Sequence, residues 1–246
     1  MKKYIVLGLI ALFTAHHSQA QSNCSSYYPL VDGANFQYTN YDKKGKEDGQ
    51  ITYKVTDVQS GGSSTNATMM MEMTDKKGRT YTSDYEVTCE GDVIKIDFKS
   101  LMNEQMLSQM GDVEMDISGT DVELPNNLSV GQELPDANME VKMKMGGGIN
   151  MNTNIETLNR KVEKQENVTT PAGTFDCYVI YSETKTKMMM TNQTFPSRIW
   201  LAEGVGMIKQ ESYNKNGKLM QPIQRLLSQF LYLGASALGH QLHLKQ

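Results

Sequence analysis

Apolar and polar residues alternate with a period of two along much of this chain. Tyr81, Ser83, Tyr85, Val87 and Cys89 alternate with Thr80, Thr82, Asp84, Glu86 and Thr88. Val113, Met115 and Ile117 alternate with Asp112, Glu114 and Asp116. Met139, Val141, Met143 and Met145 alternate with Asn138, Glu140, Lys142 and Lys144, and Ile149, Met151 and Ile155 with Asn150, Asn152 and Asn154. Successive side chains of a strand point to opposite faces, so each segment has one apolar face and one wet face. That pattern predicts antiparallel sheet with a solvated side.

The connections fit the same picture. Asp42-Lys43-Lys44-Gly45-Lys46, Asp75-Lys76-Lys77-Gly78-Arg79 and Asn214-Lys215-Asn216-Gly217-Lys218 are near copies, each with Asp or Asn first and Gly three residues later. This suits a type I turn closed by a left-handed Gly, a common hairpin connection. Pro171-Ala172-Gly173 marks another turn, and Gly204 and Gly206 mark a bulge or tight bend. The expected fold is mainly β: an antiparallel meander of about ten to twelve strands, curled into a half-barrel or open barrel. Two helices are predicted besides. Ser100 caps a short one from Leu101 to Met110, with Gly111 just past its end and Met102, Met106 and Met110 on one stripe. The second runs from Ile223 to about Leu238, after Pro222, where apolar residues are dense and Asp and Glu disappear. Residues 222–246 are therefore expected as a helical tail on a single β-rich domain of residues 21–221, either docked on the barrel or loosely attached.

The amino terminus reads as an address. Lys2 and Lys3 precede an apolar run, Ile5–Phe13, and Ser18-Gln19-Ala20 supplies the small residues of a cleavage site. Residues 1–20 are a predicted secretory signal peptide, cut after Ala20. The run is shorter than the roughly 20 residues that span a bilayer, so no integral membrane anchor is expected. Gln21 stands three residues before Cys24, where a lipobox has Leu, which disfavours lipidation. The chain is expected in the periplasm or outside the cell.

Composition removes several chemistries. The 246 residues are 39% hydrophobic and 21% charged, a globular balance. A net charge of -4 gives no basic face for nucleic acid. Of the 4 His, His16 and His17 leave with the signal and His240 and His243 lie at the carboxyl terminus. A Ser-His-Asp or Cys-His site, or a zinc site built on His, has no imidazole on the scaffold to use. Phosphate-loop, dinucleotide-binding, CxxC and HExxH motifs are absent from the sequence. No cofactor, no metal and no catalytic residue is expected. Asp and Glu are plentiful without a spacing that singles out a pair, so a carboxylate-based glycan-cleaving enzyme is the weaker catalytic alternative.

Three cysteines in an oxidising compartment imply one bond and one leftover. Cys24 lies in the mature amino-terminal segment and Cys89 ends a strand-like run, so these two are expected to pair. Cys177 sits in the apolar run Phe175–Tyr181, where a free thiol behaves as a small hydrophobe. The 18 Met are the compositional oddity. They fit a flexible core filler, an adaptable lining for an apolar ligand, or Cu(I) capture by thioethers, the last lacking partner His residues. If the sheet curls, alternation places Met69, Met71, Met73, Met139, Val141, Met143 and Met145 on inward faces. Met102 and Met106 of the short helix would lie across the opening as a lid.

Three stretches carry a family resemblance: Tyr28–Ala34 leading into Phe36 and Tyr38; Thr170-Pro171-Ala172-Gly173-Thr174-Phe175-Asp176-Cys177-Tyr178; and Trp200-Leu201-Ala202-Glu203-Gly204-Val205-Gly206-Met207-Ile208-Lys209. Together they resemble the TapB-like family of secreted bacterial proteins of unknown function, especially its Bacteroidota members, over roughly residues 24–221. The resemblance implies a curved β-sheet or half-barrel akin to lipoprotein carriers. It implies no catalytic residues and transfers no ligand, and residues after Pro222 depart from the family pattern. The function expected is therefore non-catalytic binding of an apolar small molecule or lipid on the concave face. The alternative is a structural or interaction module that meets another envelope protein and has no ligand cavity.

Overall fold

A computed structural model describes residues 24–42, 44–97, 113–145, 149–188 and 191–231. Thirteen antiparallel strands are described: β1 (Asn35–Tyr41), β2 (Glu47–Gly61), β3 (Ser64–Asp75), β4 (Thr80–Glu90), β5 (Val93–Asp97), β6 (Val113–Gly119), β7 (Val122–Pro125), β8 (Ala137–Met145), β9 (Ile149–Thr170), β10 (Gly173–Met188), β11 (Thr191–Ala202), β12 (Gly206–Tyr213) and β13 (Leu219–Leu231). They form one sheet in the order β6-β8-β9-β10-β11-β12-β13-β1-β2-β3-β4-β5-β7. Most neighbours are hairpins, as the alternation and the turn sequences imply. The pairing of β1 with β13 brings the first and last described strands side by side, with Asn35 opposite Leu231.

The sheet curls far enough for a short crossing to link its two edges. β6 lies on one edge and β7 on the other, yet only Thr120 and Asp121 separate them. The crossing is tied down by Thr120 and Asn138: the Thr120 amide donates to the Asn138 carbonyl (2.8 Å), and the Asn138 amide donates to the Thr120 hydroxyl (3.0 Å). Beyond β7 the chain runs along β9, where the amides of Gly131 and Leu134 donate to the carbonyls of Val162 and Arg160.

The three predicted Gly turns form as read. Gly45, Gly78 and Gly217 have φ of 73°, 77° and 71°. In each the first side chain accepts two backbone N–H bonds: Asp42 from Lys44 and Lys46, Asp75 from Lys77 and Arg79, Asn214 from Asn216 and Lys218. Those bonds favour the ionised carboxylates, so Asp42 and Asp75 titrate below the usual range. All three turns lie at one end of the half-barrel.

The opposite end is sealed by the amino-terminal segment. Cys24 and Cys89 are joined, their Cα atoms 5.8 Å apart, and Cys177 is free and buried. Closing a loop of sequence separation 65 stabilises the fold by roughly 3–5 kcal/mol. The Ser26 amide donates to Asn126, and Gly204 donates to the Ser26 carbonyl. The Tyr28 ring lies where a Cβ on Gly206 would stand, 2.5 Å from that position, so only Gly lets the segment close down here. Tyr27, Phe36, Val55, Ile94, Leu201, Ile208 and Leu227 are among the core residues of this closed end and of the facing walls.

The helix expected from Ile223 is not there. Residues Leu219–Leu231 are strand β13, paired with both β12 and β1. A strand flanked on both sides also reads as a dense apolar run, and periodicity alone does not separate it from a helix. Pro222, just before the expected helix, falls at a register irregularity, where a strand tolerates the missing N–H. The expected helix Leu101–Met110, with Met102 and Met106, and the remainder of the tail, residues 232–246, lie outside the described residues.

Candidate functional site: the interior of the half-barrel

Curling leaves a cavity of about 380 Å³ between the two halves of the sheet. Its two walls differ in chemistry. From β1 to β5 it is lined by Phe36, Tyr38, Tyr53, Met69, Met71, Tyr85, Val87 and Ile96, with Val122 of β7 and the sealing residues Tyr28 and Leu30. Every second residue of these strands faces inward, and cross-strand pairing sets the rows: Tyr53 stands between Phe36 and Met71, and Met69 between Val55 and Tyr85. Three tyrosines meet edge to face, with ring centroids 5.7 Å apart for Tyr38 and Tyr53 and 6.1 Å for Tyr53 and Tyr85. This geometry suits the ring quadrupoles. The Tyr38 hydroxyl donates to the Met207 carbonyl at 2.8 Å, tying β1 to β12. Burial pushes the Tyr28 and Tyr85 phenols well above their usual value, and Tyr53 adds to both shifts.

The opposite wall, from β9 to β12, mixes apolar and hydroxyl groups. Ile180, Ile199 and Met207 line it together with Thr157, Ser182, Thr184, Ser197 and Gln210. Ser182 and Ser197 are hydrogen-bonded to each other at 2.9 Å. Arg160 belongs to this wall and is 5% exposed. Its Nη1 donates to the Pro135 carbonyl at 2.5 Å. Among the described residues no carboxylate is within ion-pair distance of it; Asp136 and Glu123 act on it only through their field. Burial pulls its pKa below the ordinary arginine value, which Asp136 and Glu123 partly oppose.

A β-bulge turns Arg160 inward. Leu158 pairs with Glu183 and Lys161 with Tyr181, so Asn159 and Arg160 together face Ser182. Asn159 has φ 54°, and among the described residues no other non-glycine has positive φ. Asn tolerates this left-handed conformation better than most residues. The extra residue shifts the phase of the alternation, so Arg160 points the way that Thr157 does.

Of the methionines expected inside, Met69 and Met71 border the cavity. Met73, on the same face of β3, is 36% exposed near the turn end. Met139, Val141 and Met143 sit on β8 and do not border it: Val141 is buried against Ile117 and Thr153, and Met143 stands in a cross-strand row with Met115 and Met151. Met145 ends β8, opposite Ile149. The residues that sequence reasoning missed are the tyrosine row and Arg160. The alternation of Tyr81–Cys89 held the signal for Tyr85, whereas nothing in a run of Asn, Arg and Lys distinguishes Arg160.

On the outer face Trp200, 4% exposed, donates its indole N–H to Glu166 at 2.7 Å and lies under the Lys209 ammonium, 4.2 Å from its ring centroid. Arg198 pairs with Glu163 and stacks over Tyr181 and Tyr213. These groups satisfy one another and stiffen the β9–β12 wall from outside. Among the described residues there is no cluster of metal-ligating side chains, and no helix is long and apolar enough to cross a membrane.

Two solved structures share this architecture. One, from Bacteroides fragilis NCTC 9343, is described as an exported protein with a YmcC-like fold; it is 18% identical, with TM-score 0.66, covering 85% of this chain and 100% of that one. The other, from Parabacteroides distasonis ATCC 8503, is described as a lipoprotein; it is 21% identical, with TM-score 0.67, covering 84% of this chain and 99% of that one. At these identities the likeness speaks for the fold. No curated protein matches the sequence. A family model described as DUF3108-like matches residues 31–224, from before the first strand into the last, and the chain belongs to that family.

Proposed function

We propose that this protein is an exported, non-catalytic binding protein that holds one apolar or amphiphilic molecule inside the half-barrel. The cavity carries this reading: about 380 Å³, sealed at one end, with aromatic, methionine and aliphatic side chains over one whole wall. That is the size and lining of small-molecule sites, which fall at roughly 300–1,000 Å³. Met69 and Met71 supply deformable surface without fixed hydrogen-bond demands. The rest of the lining is hydroxyl, amide and guanidinium groups: Thr157, Ser182, Thr184, Ser197, Gln210 and Arg160. Export is supported by the signal-like segment at residues 1–20 and by the descriptions of the two structural neighbours as exported protein and lipoprotein. The three motifs that resemble TapB-like proteins fit the same assignment, at a finer level than the DUF3108-like family.

The neutral fluorophore N-phenyl-1-naphthylamine tests the reading. Wild-type protein should take up one equivalent with a blue-shifted emission. Met71→Trp fills the cavity and should weaken uptake by about tenfold or more, while Met143→Trp, away from it, should leave uptake within about twofold. A wild-type protein that takes up no probe would instead favour the interaction module without a ligand cavity.

A further inference from the structure

We infer that the bound molecule is a single-chain amphiphile with an anionic head, carboxylate or phosphate, held by Arg160. This rests on the cavity-binding reading and specifies its ligand. Arg160 is 5% exposed and borders a cavity whose other wall is apolar. A guanidinium offers five N–H donors in a planar fork. One described bond uses this fork, to Pro135, and no described carboxylate lies within ion-pair distance. A buried charge in that state is costly unless something completes its shell.

The backbone is built to keep the side chain there. Asn159 takes a left-handed φ of 54° at the bulge, and the Leu134 amide clamps the Arg160 carbonyl at 2.9 Å. A strained residue held by its surroundings at a cavity wall points toward function. On the same wall Ser182 stands opposite the bulge and Thr157 pairs with Thr184, and the hydroxyls of these residues can donate to further head-group oxygens. Carboxylates and phosphates match a guanidinium in a two-pronged fashion, whereas an alcohol does not. Opposite, the Tyr53, Met69 and Met71 surface accepts the hydrocarbon. The volume, at the lower end for small-molecule sites, suits one chain rather than two.

The test uses the disulfide-bonded mature protein and three ligands of equal chain length: dodecanoate, dodecyl phosphate and dodecanol, each displacing N-phenyl-1-naphthylamine. The anions should bind about tenfold or more tighter than dodecanol. Whichever anion is tighter separates a fatty acid from a lysophospholipid-like source. Arg160→Gln should erase the preference while leaving dodecanol within about twofold, and Arg160→Lys should restore part of it. Equal affinity for all three in wild-type protein, or an equal loss of all three in Arg160→Gln, would overturn the inference and leave the apolar site standing. The ligand comparison in wild-type protein decides the matter even if the variants do not fold. If none of the three binds and the fluorophore does not either, both readings fall.

Discussion

Cys177 shows what the interior does to a single ionisable group. Its thiol is fully buried on β10, and burial pushes its pKa up to about 12, with Asp176 and Glu166 adding to the shift. The thiolate is the reactive form, so the native protein should resist iodoacetamide at about pH 8.5, with mass spectrometry finding Cys177 labelled only after denaturation. Rapid labelling of the native chain would contradict the burial. Arg160 is the converse case, a charged group that the fold hides and the sequence does not reveal. In Leu158-Asn159-Arg160-Lys161-Val162 the charged residues read as a solvated face, because strict alternation would put Arg160 outside, opposite in phase to Thr157. The bulge at Asn159 adds one residue and reverses the phase. A one-residue slip moves every following side chain to the other face, and no local pattern announces it.

Among the elements, the crossing from β6 to β7 is the most exacting. Gly119 has φ 145°, and a Cβ there would stand 2.1 Å from the Asn138 carbonyl oxygen, a backbone atom with little room to yield. Gly119→Ala should cost about 2–3 kcal/mol in urea unfolding, against a small effect for Gly61→Ala, whose Cβ would meet open space. Equal effects would mean that the edges of the sheet are not locked at this point. The hairpins were readable because Asx-first turns with a left-handed Gly have their own chemistry, and the strands of β4, β6 and β8 because each has one wet face. β13 was not readable as a strand. Its apolar run lacks the polar alternation, and its identity as a strand comes from β12 and β1, partners far away in sequence. The methionines fall between these cases. Met69 and Met71 border the cavity, but which residues of one strand face border open space depends on how the sheet curls, and alternation does not carry that.

At the scale of the whole molecule, burial of weak acids sets the alkaline limit. Tyr27 and Cys177 are pushed up to about 12 from ordinary values of 10.0 and 9.0, and Tyr28 and Tyr85 are raised as well, all chiefly by desolvation. The folded state holds these protons more tightly than the unfolded chain. Their contribution is therefore intact below about pH 9 and is lost as pH rises through the interval to about 12. The urea midpoint should fall between about pH 8 and about pH 10.5, and a midpoint that stays level or rises would show that these groups are not buried as described. The pairing of β1 with β13 constrains the protein in time as well as in space. A chain made amino terminus first presents Asn35–Tyr41 early and Leu219–Leu231 much later. Until then β1 lacks one neighbour and β12 lacks another, and contacts this far apart in sequence form slowly. The half-barrel therefore cannot finish assembling until Leu219–Leu231 has been made. Among the described strands, the last to be made is the one that joins the two halves of the sheet.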